Sequence, residues 1–158
     1  MNGPRQGTVS LPNERLLRIL SGALALAGIG VASYIAIAET GGSSPVCLSG
    51  GQGCATVAAS EYSELAGINV AVMGIVGYVA IGAAALVRGD AGRFAGFLLA
   101  LAGFGFSAYL TYLELFVIDA ICEWCVTSAA LMTLLLAVNA ARALVYAGAE
   151  LLDGDPEH

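Results

Sequence analysis

Four stretches of this chain run for about 20 residues or more with almost no charge, over residues 19–38, 68–87, 94–117 and 122–146. A helix that crosses a bilayer consumes roughly 20 apolar residues, and backbone amides inside lipid must find partners within their own segment. Runs of this length predict four membrane-spanning helices rather than strands. They use up most of a 158-residue chain and leave no room for a separate globular domain. The expected fold is an all-α integral membrane protein: a four-helix transmembrane bundle with a long outer loop between helices 1 and 2. Residues 1–18 are read as an N-terminal segment, 19–146 as the membrane domain and 147–158 as an acidic tail.

Composition agrees. The chain is 58% hydrophobic and 11% charged, against about one quarter charged in soluble proteins, which excludes a water-soluble enzyme. Disorder would need the opposite balance, low hydrophobicity with high net charge. A net charge of -6 and the absence of lysine exclude nucleic acid as a partner, because phosphate binding needs clustered cations. Within the first run, Ala23 with Ala27 and Gly28 with Ala32 are small pairs that let helices approach closely.

The arginines orient the chain. Arg5, Arg15 and Arg18 precede the first run, Arg88 and Arg93 separate the second from the third, and Arg142 lies near the end of the fourth. The alternate connections carry Glu39, Glu61, Glu64, Asp119 and Glu123 but no cation. Cations near span ends stay on the cytoplasmic side, so both termini are expected in the cytoplasm and the long loop outside. The first run, ending in Ala36-Ile37-Ala38, also looks like a signal peptide with a small-residue cleavage site. Signal h-regions are only about 7–15 residues long, and this run approaches a full span.

That topology brings the four cysteines to one side: Cys47 and Cys54 in the outer loop, Cys122 and Cys125 at the outer end of the fourth run. Thiols in an oxidising compartment tend to pair, and four cysteines allow three connectivities. Cys122-Glu-Trp-Cys125 is a Cys-X-X-Cys at a helix start, where free amides and the helix dipole favour a thiolate. Glu123 should oppose that charge. Such a motif serves redox exchange or metal binding, and four thiolates could close a zinc site; static disulfides in a structural membrane protein are the other alternative. Gly50, Gly51 and Gly53 around the loop pair supply the freedom that a sulfur shuttling between two partners needs.

Together these residues resemble the bacterial branch of the vitamin K epoxide reductase family. The resemblance runs over about residues 19–146. It rests on Cys47 and Cys54, the following Ser60, the segment Glu61-Tyr-Ser-Glu-Leu-Ala-Gly-Ile68, the segment Ser107-Ala-Tyr-Leu-Thr-Tyr-Leu-Glu114, and Cys122-Glu-Trp-Cys125 opening the last span. It implies a four-span catalytic domain around a quinone, menaquinone or ubiquinone. Cys125 would lie nearest the ring, Ser60 near the head group, and Cys122 would receive electrons from Cys54. Cys47 would meet the redox partner. A reduced thioredoxin-fold protein would attack a Cys47–Cys54 disulfide, the freed Cys54 would attack a Cys122–Cys125 disulfide, and two electrons would pass to the quinone.

Many bacterial relatives carry a fused thioredoxin-like domain, whereas this chain ends soon after the fourth run, so a separate DsbA-like or thioredoxin-fold partner is expected. Vertebrate members carry a tyrosine four residues past the second motif cysteine, where Ala129 stands here; the resemblance therefore decides neither anticoagulant sensitivity nor epoxide reduction. A bacterial envelope is kept oxidising by a DsbA-type oxidant recharged through a membrane protein and quinone. The expectation is a thiol:quinone oxidoreductase of the bacterial inner membrane that supports disulfide formation, with no metal. DsbB resembles it in chemistry but carries its Cys-X-X-Cys in the first outer loop, the reverse order. Glu114, inside the outer end of the third run, is costly unless it reaches water or a partner, so it either steadies the bundle or moves protons. Trp124, Tyr62, Tyr109 and Tyr112 fit an interfacial aromatic belt. His158, the single histidine, is too remote to serve a catalytic triad.

Overall fold

A computed structural model describes residues 12–153, and they are mostly helical. In order come α1 (Pro12–Thr40), a short α2 (Gly53–Ala58), a 3-10 turn (Glu61–Ser63), strands β1 (Glu64–Leu65) and β2 (Ile68–Asn69), then α3 (Val70–Leu86), α4 (Asp90–Phe116) and α5 (Glu123–Asp153). Residues 1–11 and 154–158, with Arg5 and His158, lie outside the described residues. Three helical segments, Glu14–Thr40, Asp90–Phe116 and Glu123–Val145, are long and apolar enough to cross a membrane, and α3 is a shorter apolar helix of 17 residues.

The second apolar run is thus only partly helical, and the reason is local. Ile68 and Asn69 pair with Leu65 and Glu64 in an antiparallel hairpin. Its two turn residues, Ala66 (φ 54°) and Gly67 (φ 78°), are both left-handed, as the tight hairpin turns that match strand twist require. Asn69 then caps α3, its Oδ1 accepting from the amides of Ala71 (2.8 Å) and Val72 (3.4 Å). An asparagine that satisfies these orphan donors is a strong start signal, and it moves the helix start two residues past Ile68.

α1 packs on α3 and α5, and α4 packs on α3 and α5, closing a ring of four antiparallel neighbours. Small residues set the distances. Ser21, Ala25, Gly28, Ala32 and Ala36 are buried along one stripe of α1, at the spacing of one helix face. A Cβ on Gly82 would sit 3.5 Å from Ala25, and one on Gly74 3.6 Å from Ala32. Between them the Tyr78 ring fills the space that a Cβ on Gly28 would occupy. Gly28 and Ala32 therefore face a neighbour, whereas Ala23 and Ala27 face outward. On the other side, Gly103 admits Met132 and Gly96 admits Asn139, giving α4 and α5 their register.

The described arginines gather at the end of the helices away from the cysteines. Arg18 donates to the carbonyls of Ala85 (3.0 Å) and Leu86 (3.2 Å) at the end of α3. Arg93 pairs with Glu14 and Asp90. Arg142 is buried and donates to Asn139 Oδ1, while the Asn139 amide donates to Ser21 Oγ. This buried polar chain ties α5 to α1.

Candidate functional site

At the opposite end the four cysteines come together. Cys47 and Cys54 form a disulfide with a Cα separation of 5.8 Å, and both are buried in one cluster with Cys122, against Val57, Trp124 and Cys125. Cys122 and Cys125 are thiols. Cys54 reaches Cys122 because α2 begins on a glycine: a Cβ on Gly53 would strike the carbonyl oxygen of Ile121, the residue before Cys122. A six-residue helix thus sits directly on the backbone leading into the motif.

The loop carrying Cys47 is held rather than loose. The amides of Leu48 (2.8 Å) and Ser49 (3.2 Å) donate to the Glu123 carboxylate. The Trp124 indole donates to the Val46 carbonyl at 2.9 Å. The Trp124 ring lies 4.8 Å from that of Tyr34, whose hydroxyl accepts from the Val46 amide. The two residues between the motif cysteines therefore grip the loop from below. The mobile glycine loop expected from sequence is anchored here, and Glu123 spends its charge on loop amides. The carboxylate that acts on the motif sulfurs is Glu114.

Cys122 occupies the N-cap of α5: its carbonyl accepts the first helical bond, from Val126. Its sulfur is hydrogen-bonded by the Cys125 thiol and by the backbone amides of Cys125 and Trp124, the donors that a capping side chain takes up. The thiol-to-thiolate hydrogen bond first, and the amides after it, lower the Cys122 pKa to about 7, against the opposing effects of burial and the Glu114 charge.

Glu114 is 4% exposed. Its Oε2 accepts the Cys122 amide at 3.0 Å, and its carboxylate is a hydrogen-bond partner of the Cys125 thiol. The turn between α4 and α5 fixes this contact: the amide of Ile118 bonds to Leu113 (2.8 Å) and that of Ala120 to the Glu114 carbonyl (3.1 Å). Sequence alone marked Glu114 as costly; its partner is a backbone amide across a turn, which no residue pattern reports.

Beneath the cysteines lies a cavity of about 150 Å³ between α1, α3, α4 and α5. Cys125, Ser60, Glu114, Tyr62, Phe106 and Met132 are among its lining residues. Of the four sulfurs, Cys125 alone lines it. Ser60 donates its hydroxyl to the Val57 carbonyl at 2.7 Å, which leaves its oxygen only accepting capacity. Tyr62 is a wall of this cavity, and Tyr62, Tyr109 and Tyr112 are all exposed.

A helical membrane protein that gathers a disulfide and a capped dithiol over an apolar cavity defines a class, the membrane-embedded thiol oxidoreductases. The particular member follows from comparison: residues 19–140 match the model of the vitamin K epoxide reductase family, and the chain belongs to that family. Among curated proteins, none matches the chain.

Proposed function

We propose that the chain is a thiol:quinone oxidoreductase that reoxidises a separate DsbA-like or thioredoxin-fold protein and so supports disulfide formation in exported proteins. The observation that carries this reading is the position of Cys125, the one sulfur that touches both its motif partner and the cavity. A partner thiolate attacks Cys47 and releases Cys54. Cys54 attacks Cys122 and breaks the Cys122–Cys125 disulfide, freeing the Cys125 thiolate. The partner's second thiolate attacks the partner sulfur bonded to Cys47, which releases the oxidised partner and frees Cys47. Cys47 then closes on Cys54 and displaces Cys122, leaving Cys122 and Cys125 as the loaded dithiol. A closed loop pair above a reduced motif corresponds to that loaded stage. The glycine contact at Gly53 supports the short step between the pairs.

The size and walls of the cavity fit a quinone ring. A volume of about 150 Å³ suits a single aromatic ring, since an apolar cavity of about that size binds benzene. Its walls are largely apolar with a few hydroxyls and the carboxylates of Glu39 and Glu114, the usual make-up of a small-molecule site. Cys125 and Ser60 would hold the ring; a bound quinone supplies an acceptor for two electrons and two protons. A four-thiolate zinc site is disfavoured, because Cys47 and Cys54 are committed to each other.

In this reading all four long helices cross the bacterial inner membrane. Residues 19–146 form the catalytic domain, 1–18 and 147–158 lie in the cytoplasm, and the cysteines face the envelope space. Segregation of arginines from cysteines supports that orientation. The test is direct. Purified protein in lipid, given a reduced DsbA-like partner and a quinone, should reduce the quinone, and Cys125→Ala should abolish it. Equal rates for the two proteins would refute the proposal.

A further inference from the structure

Closing a dithiol into a disulfide releases two protons along with two electrons, and a quinone reduced in the cavity must take up both. We infer that Glu114 is a catalytic residue that takes the proton of the Cys125 thiol and passes it into the cavity, an inference that rests on the thiol:quinone reading above. Cys125 must shed its proton at the moment its electrons leave. Two groups stand beside it to receive that proton: the sulfur of Cys122, its motif partner, and the carboxylate of Glu114, which is bonded to the motif through the Cys122 amide and lines the same cavity as Cys125. Only Glu114 also lines the cavity. The bond from the Cys122 amide at 3.0 Å holds the carboxylate under the motif.

The surroundings favour this role over a structural one. Among the described residues no arginine lines the cavity, so Glu114 is not there to pair with a cation, although an unpaired carboxylate at this depth is costly. The other titratable groups around the cavity have different partners. Glu39 of α1 accepts from the Asn69 amide, Tyr78 of α3 is bonded to Ser128, and Tyr62 stands at the loop side. None of them is bonded to a cysteine.

Cys122 begins as a thiolate, having released its proton to water, and Cys125 as a thiol. Glu114 accepts the Cys125 proton, the Cys122–Cys125 bond forms, and two electrons leave the sulfur pair for the quinone. Glu114 then gives up its proton to the reduced acceptor, and the second proton enters from water.

Glu114→Gln keeps an oxygen for the Cys122 amide but cannot carry a proton. Oxidation of the pre-reduced full chain in lipid by a soluble quinone should slow by about a hundredfold or more in E114Q, the scale of general acid–base catalysis, with partial recovery in Glu114→Asp. Without quinone, infrared difference spectra between the dithiol and disulfide forms of the wild type should contain a carboxyl band that E114Q lacks. If the wild type passes electrons to quinone and E114Q does so within about twofold, or if the wild type lacks that band, this inference is overturned and the oxidoreductase reading stands. If the wild type does not reduce quinone at all, both fall. Should E114Q fail to fold, E114D is the deciding variant: a shifted band with slowed oxidation supports the proton role, and an unchanged band and rate overturns it.

Discussion

At the scale of single residues, the sulfur that caps α5 and the one that faces the cavity are three positions apart and do different work. Cys122 is lowered to about 7 chiefly by the Cys125 thiol. Because the folded pKa is depressed, the thiolate is present above about pH 7 and lost as pH falls through that value. Thiolate absorbance of the reduced protein should therefore titrate near pH 7, and Cys125→Ala, which removes the principal donor, should move the midpoint upward. Glu123→Ala should speed hydrogen exchange at the Leu48 and Ser49 amides, its two loop partners. The cysteine spacing was legible in the sequence, because a Cys-X-X-Cys at the head of an apolar run has few uses. The direction in which Glu123 points was not. Nothing in the motif tells that carboxylate to prefer amides 75 and 74 positions away over the adjacent sulfur.

Elements translate these contacts into distances. α2 is six residues long, too short to be stable in isolation, and it is fixed at its start by Gly53 against Ile121. Gly53→Ala should push α2 off that backbone, leaving the Cys47–Cys54 bond intact while slowing exchange from Cys54 to Cys122 by roughly tenfold or more, as expected when a reacting group is misplaced. Trapping of the Cys54–Cys122 mixed disulfide over time would measure it. Gly28→Ala should lower thermal stability by about 1–3 kcal/mol, the usual cost of overpacking a core, since its methyl group meets the buried Tyr78 ring. Long helices were legible as unbroken apolar runs, but their edges were not. Helix α1 begins at Pro12 and β2 claims Ile68 and Asn69: a polar first turn carries no hydropathy signal, and a strand two residues long is too brief to show alternation.

For the whole molecule, what matters is that positive charge and sulfur occupy opposite ends of one set of helices. Arg18, Arg93 and Arg142 are bonded into one end, and the cysteine cluster closes the other. A membrane-impermeant thiol reagent applied to reduced, intact cells should label single-cysteine variants at Cys47 from outside, and no variant from the cytoplasmic side. Labelling of the two pairs from opposite sides would remove the physical basis for exchange between them. This polarity was readable from arginine positions alone. The cavity was not, since its walls come from residues scattered over every long helix and the loop.

The grip of Glu123 and Trp124 on the strand of chain that bears Cys47 links recognition to chemistry. A visiting protein that draws this sulfur outward must strip two amides from a carboxylate and a carbonyl from an indole. In the proposed cycle each such visit would free a negative charge beside the motif and loosen the roof over the thiols. The inner pair would then feel the guest before any sulfur changes hands, through the dipeptide that separates its two members.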